Sequence, residues 1–288
     1  MNNSHTNTFF HYTNSLDTVI SILENVFRFS YAKEEFHHGR IVGIPMISFC
    51  DIPITLSGEH KGKYGEFAIG IAKSNLIADY PITPVTYILN DRMDNLAFKL
   101  HSKYICNESF LDSSMDDLAK SGAAPLSVKL NGNNYTGYGM KFNEVGRNIF
   151  KTFIDNLSLN QEANSLLGSM KLYKFKRNGE EQINYDECEW RLVYPENAKI
   201  NDSKCKWIWE KYDVWKTSRE DKFLSGAPTL NPIISDINYL IVPTEKDIFP
   251  LITKISKLGK VFGEDLSDES RSILYSKILS FEKIEKDF

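Results

Sequence analysis

Aromatic and β-branched residues dominate Thr8 to Thr13 (Thr-Phe-Phe-His-Tyr-Thr), which predicts a short buried strand. Asn14 or Ser15 then caps a helix carrying Leu16, Val19, Ile20, Leu23 and Phe27 at helical spacing. A polar patch from Lys33 to Arg40 separates this helix from a second apolar strand, Ile44 to Phe49. Ser57 to Gly65 is glycine-rich and reads as a loop leading into a third strand, Phe67 to Ile71. Pro84 to Leu89 reads as a short strand, Asp91 to Tyr104 and Glu144 to Leu157 as helices, and Asp112 to Ala124 as a weak, polar helix. Asn131-Gly132 marks a hairpin within Leu126 to Tyr138, and Asn178-Gly179 another between strands Lys171 to Lys176 and Asn184 to Tyr194. Ile237 to Val242 is a strand, Thr244 to Leu258 a helix capped by Thr244, and Ser280 caps a terminal helix. Strands outnumber regular βα alternations. The expected class is therefore α+β, a mixed, mostly antiparallel sheet with flanking helices, in a single domain over residues 1–288.

Alternation makes Asn184 to Val193 the most informative stretch. As a strand it points Cys188, Trp190 and Leu192 to one face and Glu187, Glu189 and Arg191 to the other. Two carboxylates and a guanidinium then stand about 7 Å apart in a row on a rigid element. A solvated sheet face with cross-strand ion pairs gives the same periodicity. His11 shares its strand face with Phe9 and Thr13; it is either a satisfied core histidine or an imidazole donating to a ligand hydroxyl. Ser48 is either a hydroxyl lining a pocket or the polar side of an alternating strand. His60 and Tyr64 sit in a glycine-rich segment that suits a ligand-covering loop or an ordinary turn.

Composition narrows these choices. A 288-residue chain with 42% hydrophobic and 25% charged residues is long enough for a full core, and 12% aromatics suits a β-containing one. The net charge of −4 supplies no global field for nucleic acid. No signal peptide and no membrane span are expected, and the four cysteines lack Cys-x-x-Cys spacing, which argues against a zinc site or a disulfide framework. A reducing cytoplasm fits. Gly58 to Gly65 fails as a phosphate loop, with three residues where four are needed and Tyr64 after Lys63. Glu34, Glu35, His37 and His38 read as a solvated cluster, so no metal is expected.

Phe10 to Thr13, Ile44 to Pro53, and His60 with Tyr64-Gly65 closely resemble the AbiGi family of prokaryotic proteins, named for abortive phage resistance and described as antitoxins. Glu187 to Arg191 and Tyr239 to Pro243 extend the likeness over nearly the whole chain, leaving residues 109–170 as an insertion of unknown role. A more distant resemblance is to ADP-ribosyltransferases, whose pattern is a His on the first strand, a hydroxyl or aromatic on a middle strand and a Glu on a later one. His11, Ser48 or Tyr64, and Glu189 occur in that order. The resemblance implies an ADP-ribosyltransferase-like fold with NAD as substrate and a protein or nucleic acid as acceptor. Glu189 would stabilise the oxocarbenium-like ribose and Glu187 would handle the acceptor. His11, Thr13, Ser48, His60, Tyr64 and Arg191 would line the NAD site. Two adjacent carboxylates should raise the pKa of one of them unless Arg191 offsets this. The competing expectation is a non-catalytic antitoxin or immunity module that binds a toxin; a nuclease has no metal constellation to support it.

Overall fold

Residue patterning and burial place eight strands in one open sheet: β1 (Thr8–Thr13), β2 (Ser30–Phe36), β3 (Arg40–Cys50), β4 (Phe67–Ala72), β5 (Thr83–Pro84), β6 (Glu189–Val193), β7 (Ile237–Val242) and β8 (Ile278–Ser280). The computed structural model describes residues 6–56, 58–96, 98–99, 124–130, 133–139, 164, 166–177, 180–195, 199–200, 203–209, 212–218 and 223–287. The strand order is β8-β7-β4-β1-β3-β6-β5, with β2 paired to β3 off this path. Every pair is antiparallel except β7 with β8. That parallel pair needs a crossover, and α5 (Ile248–Ile255) and α6 (Asp268–Ser276) supply it. The protein is thus mixed α and β with a mostly antiparallel sheet.

Both faces of the sheet are covered. Register puts Phe10, Tyr12 and Ala68 on one face, where Phe10, Ala68 and Ile241 pack against Phe281 and Ile284 of α7 (Phe281–Asp287). Phe9 and His11 stand on the opposite face. There α1 (Leu16–Asn25) buries Val19 and Leu23, and the rings of Phe27, Phe49 and Phe262 gather. Ser15 caps α1, accepting from the Thr18 N–H at 3.2 Å.

The polar patch Lys33 to Arg40 proves to contain most of β2, a tight turn at His37–Gly39 and the start of β3. Its alternation is real, since Glu34 and Phe36 are buried while Lys33 and Glu35 face solvent. An inward charge disguised it. The expected loop Ser57 to Gly65 is instead helix α2 (Gly58–Tyr64). Its glycines give it low intrinsic propensity, so anchoring decides: Lys61 pairs with Glu285, Lys63 with Glu187, and the Gly65 N–H donates to the Lys61 carbonyl. Helix α3 (Lys73–Asp79) follows β4, and α4 (Tyr212–Ser218) lies near β3.

By internal contacts the chain divides into two units, Met1–Leu89 with Ser169–Phe288, and Asn90–Gly168. The second contains the hairpin signalled by Asn131-Gly132, with Ala124–Leu130 antiparallel to Asn133–Gly139. Of the helix expected over 91–104, residues 92–96 and 98–99 are described and helical. The helices expected over 112–124 and 144–157 lie outside the described residues, except Ala124, which begins a strand. In the first unit Thr86–Ile88 pairs in parallel with Met170–Leu172, and Lys174–Arg177 pairs with Glu180–Ile183. The Asn178-Gly179 signal therefore joins a shorter hairpin, whose second strand ends before Asn184.

Candidate functional site

Strand β6 starts at Glu189, not at Asn184. Tyr185–Glu187 form a 3-10 turn, and Cys188 adopts a left-handed conformation at φ +43. That break removes Glu187 from the strand, so the expected row of Glu187, Glu189 and Arg191 on one continuous strand does not exist. The two carboxylates nonetheless converge. Lys171 Nζ donates to Glu187 at 2.5 Å and to Glu189 at 2.9 Å.

Arg191 is fully buried and organises the rest. Its Nε and Nη2 donate to the two Glu189 oxygens at 2.8 and 3.0 Å, Nη2 also reaches Glu34 at 2.8 Å, and Nη1 donates to the Met170 carbonyl at 3.3 Å. Glu187 additionally accepts from Lys63 and from the Tyr64 hydroxyl. Three carboxylates and three cations form one network with no net charge. Burial alone would raise the Glu189 pKa, but Arg191 and then Lys171 outweigh it and hold the carboxyl far below its ordinary value. Burial likewise opposes ionisation of Glu187, and Lys171 again prevails, holding it low. Neither carboxyl is raised: Lys171 bridges both, and Arg191 acts with it at Glu189 alone. The one carboxyl pushed up is Glu34, where burial outweighs Arg191.

Beside this network a cleft opens between β1 and β3. The two strands pair only at Phe10 and Cys50. Where they part, His11 Nδ1 donates to the Ser48 carbonyl at 2.9 Å in place of a backbone N–H. Burial lowers the imidazole pKa, opposed by the bond to Ser48, so the ring is neutral and Nε2 is its acceptor. His11, Ser48, Tyr64, Glu187 and Glu189 all border the cleft, together with Phe10, Tyr12, Phe49 and Cys50. His11 nevertheless stands on the sheet face opposite Glu189. Register aligns Glu189 with Cys50, hence with Phe10, while His11 aligns with Phe49 and Trp190. The cleft encloses about 70 Å³.

The other expected site residues lie elsewhere. Thr13 is buried at the end of β1, its hydroxyl donating to the Ser15 carbonyl at 3.1 Å. Arg191 sits behind Glu189, not in the cleft wall. His60 belongs to α2, and its side chain lies outside the described residues. Cys50 is buried and donates to the Glu187 carbonyl; burial raises its pKa, as expected of a structural thiol. Among the described residues no group of three or more His, Cys, Asp or Glu is arranged for a metal.

Sequence reasoning missed Lys171, Lys63 and Glu34. A signal did exist: an Arg at an inward strand position is tolerated only with carboxylates around it, so Arg191 called for buried acids beyond Glu189.

A mixed sheet whose cleft is backed by a neutral ion-pair network defines the protein structurally. Residues 19–222 match the family described as "Putative abortive phage resistance protein AbiGi, antitoxin", and the chain belongs to that family. No curated protein and no solved structure matches it, so the ADP-ribosyltransferase-like fold has no structural neighbour behind it. Among the described residues no helix is long and apolar enough to cross a membrane.

Proposed function

We propose that this protein serves abortive phage resistance as an antitoxin, a non-catalytic module that neutralises a toxin by binding it. The family match carries the reading, since it spans more than half of the chain and its description names that role. The site supports it. Glu187 and Glu189 are both committed to internal cations, and the cleft is small beside the roughly 300–1,000 Å³ of pockets that hold drug-sized ligands. His11 and Thr13, which the transferase resemblance would use to hold the adenosine ribose, fall outside the matched residues.

One observation favours a second reading, an NAD-dependent ADP-ribosyltransferase: His11, Ser48, Tyr64, Glu187 and Glu189 share one cleft. There an ionised Glu189 would favour a cationic ribose over its neutral ground state. A single experiment separates the two. Each gene adjacent to that of this protein is expressed alone and with it to find one whose toxicity it relieves, and the purified protein is incubated with NAD. Restored growth with no nicotinamide release is expected. Nicotinamide release above background, abolished by Ser48→Leu in the cleft wall, would overturn the antitoxin reading in favour of the transferase.

A further inference from the structure

Three of the four tryptophans fall within nine residues, Trp207, Trp209 and Trp215. Around them, residues 203–218 carry four lysines (Lys204, Lys206, Lys211, Lys216) against two acids (Glu210, Asp213), in a chain of net charge −4. The structure gathers part of this segment into one surface. Helix α4 lies over the outer part of the β2–β3 pair, where Gly43 makes room for it: a Cβ there would stand 2.4 Å from the Tyr212 ring. The Tyr212 hydroxyl donates to the Tyr31 carbonyl at 3.0 Å, and the Tyr31 hydroxyl to the Lys206 carbonyl at 3.1 Å. Trp215 stands edge-on to Tyr31 with ring centroids 4.6 Å apart. Tyr31 and Trp215 are only half-buried, and Lys33, Lys206 and Lys216 are exposed around them.

We propose that the half-exposed Trp215 and Tyr31, flanked by Lys206 and Lys216, are the surface on which the toxin docks, and that the two lysines receive an acidic group of it. This rests on the antitoxin reading above and names the surface that reading requires. Aromatic anchors inside a polar rim are the composition of interface hot spots, and Lys206 and Lys216, left over once Lys33 is paired with Asp213 and Glu35, select a partner of opposite sign. The family match, residues 19–222, contains this whole surface and excludes α5, α6 and α7. Single-stranded nucleic acid is the less favoured occupant. Lys33 is already bound by Asp213 at 3.2 Å and Glu35 at 3.4 Å, and these acids interrupt any track along which phosphates would run.

The test compares the full-length wild type with Trp215→Ala and Lys216→Glu in toxin neutralisation, with thermal melts of each. Binding of a fluorescent 20-nucleotide oligo(dT) is measured in parallel. The expected result is a loss of neutralisation of at least about 10-fold in both variants. Lys216→Glu, on an exposed side chain, should melt as the wild type does, and oligo(dT) should not bind. If the wild type neutralises and both variants match it, the docking surface is wrong while the antitoxin reading stands. If the wild type itself fails to neutralise, that reading falls and takes this surface with it. Oligo(dT) binding lost in Trp215→Ala would overturn the protein partner in favour of nucleic acid.

Discussion

Arg191 carries its charge into the interior, where an unpaired guanidinium is prohibitively costly, so its partners are structural necessities before they are anything else. Glu189→Gln leaves that charge short of a carboxylate and should destabilise by about 3–5 kcal/mol in urea titrations. Glu187→Gln weakens charge-assisted bonds to Lys63 and Lys171 and should cost about 1.5–3 kcal/mol. A cost below about 0.5 kcal/mol for either would show that the network contributes little to stability. The pH dependence follows from the same groups. Glu187 and Glu189 titrate lower in the folded chain than the ordinary 4.5. Their contribution is complete above about pH 4.5 and is lost as pH falls through the folded values. His11, lowered from 6.5 by burial, acts in the same sense from a higher starting point. Glu34, raised above 4.5 by burial, acts oppositely: its effect falls above pH 4.5, where it opposes the decline from His11 and leaves the loss below 4.5 untouched. Urea midpoints should therefore change little between pH 6.5 and 4.5, where His11 and Glu34 oppose each other, and fall steeply below 4.5, and Glu189→Gln should flatten that fall.

At the scale of elements, anchoring outweighs propensity. Helix α2 forms despite Gly58 and Gly62, and it is held to β1 through Gly65 at φ +120, where a Cβ would meet the Thr13 carbonyl oxygen at 2.0 Å. Gly65→Ala should cost at least about 2 kcal/mol by strain and clash, read as a lowered melting temperature. Helix α5 is terminated in another way. Arg271 Nη1 donates to the carbonyls of Ile255, Ser256 and Leu258, and Nη2 to that of Leu266. Arg271→Ala should cost about 2–3 kcal/mol and speed amide exchange in the last turn of α5. These anchors mark the limit of what the chain discloses locally. The strands β1, β4 and β7 were readable because their inward positions are apolar, and α1 because Ser15 announces its start. The ends of β2 and β6 were not readable. Glu34 puts a charge at an inward position, and Cys188 breaks an alternation that the letters Asn184 to Val193 keep intact. The cleft was legible in its polar residues: His11, Ser48, Tyr64, Glu187 and Glu189 all came forward as candidates. Lys171, in the network behind the cleft, did not, because the 3-10 turn that brings Glu187 back to it is not visible in the residue pattern.

At the scale of the whole molecule, the unit Met1–Leu89 with Ser169–Phe288 holds the complete eight-stranded sheet, both faces of its core and the ion-pair network. The segment Asn90–Gly168 leaves and re-enters beside a parallel strand pair, Thr86–Ile88 with Met170–Leu172. That pairing sets Ser169 beside Val85, so the exit at Leu89 and the return are about four strand residues apart, roughly 14 Å with the step between strands. A flexible linker of about eight Gly and Ser residues spans roughly 15 Å and closes the gap without strain. Replacing residues 90–168 by such a linker should leave a chain that melts cooperatively within about 5 °C of the full protein, because every buried ionic partner of Arg191 remains. Neutralisation should persist as well, since Tyr31, Trp215 and the lysine rim all belong to the retained unit. Calorimetry and the growth assay on this variant check the two expectations separately. A broad, non-cooperative melt would show that the sheet depends on residues 90–168 for its stability. A sharp melt with lost neutralisation would place part of the toxin contact in the removed segment.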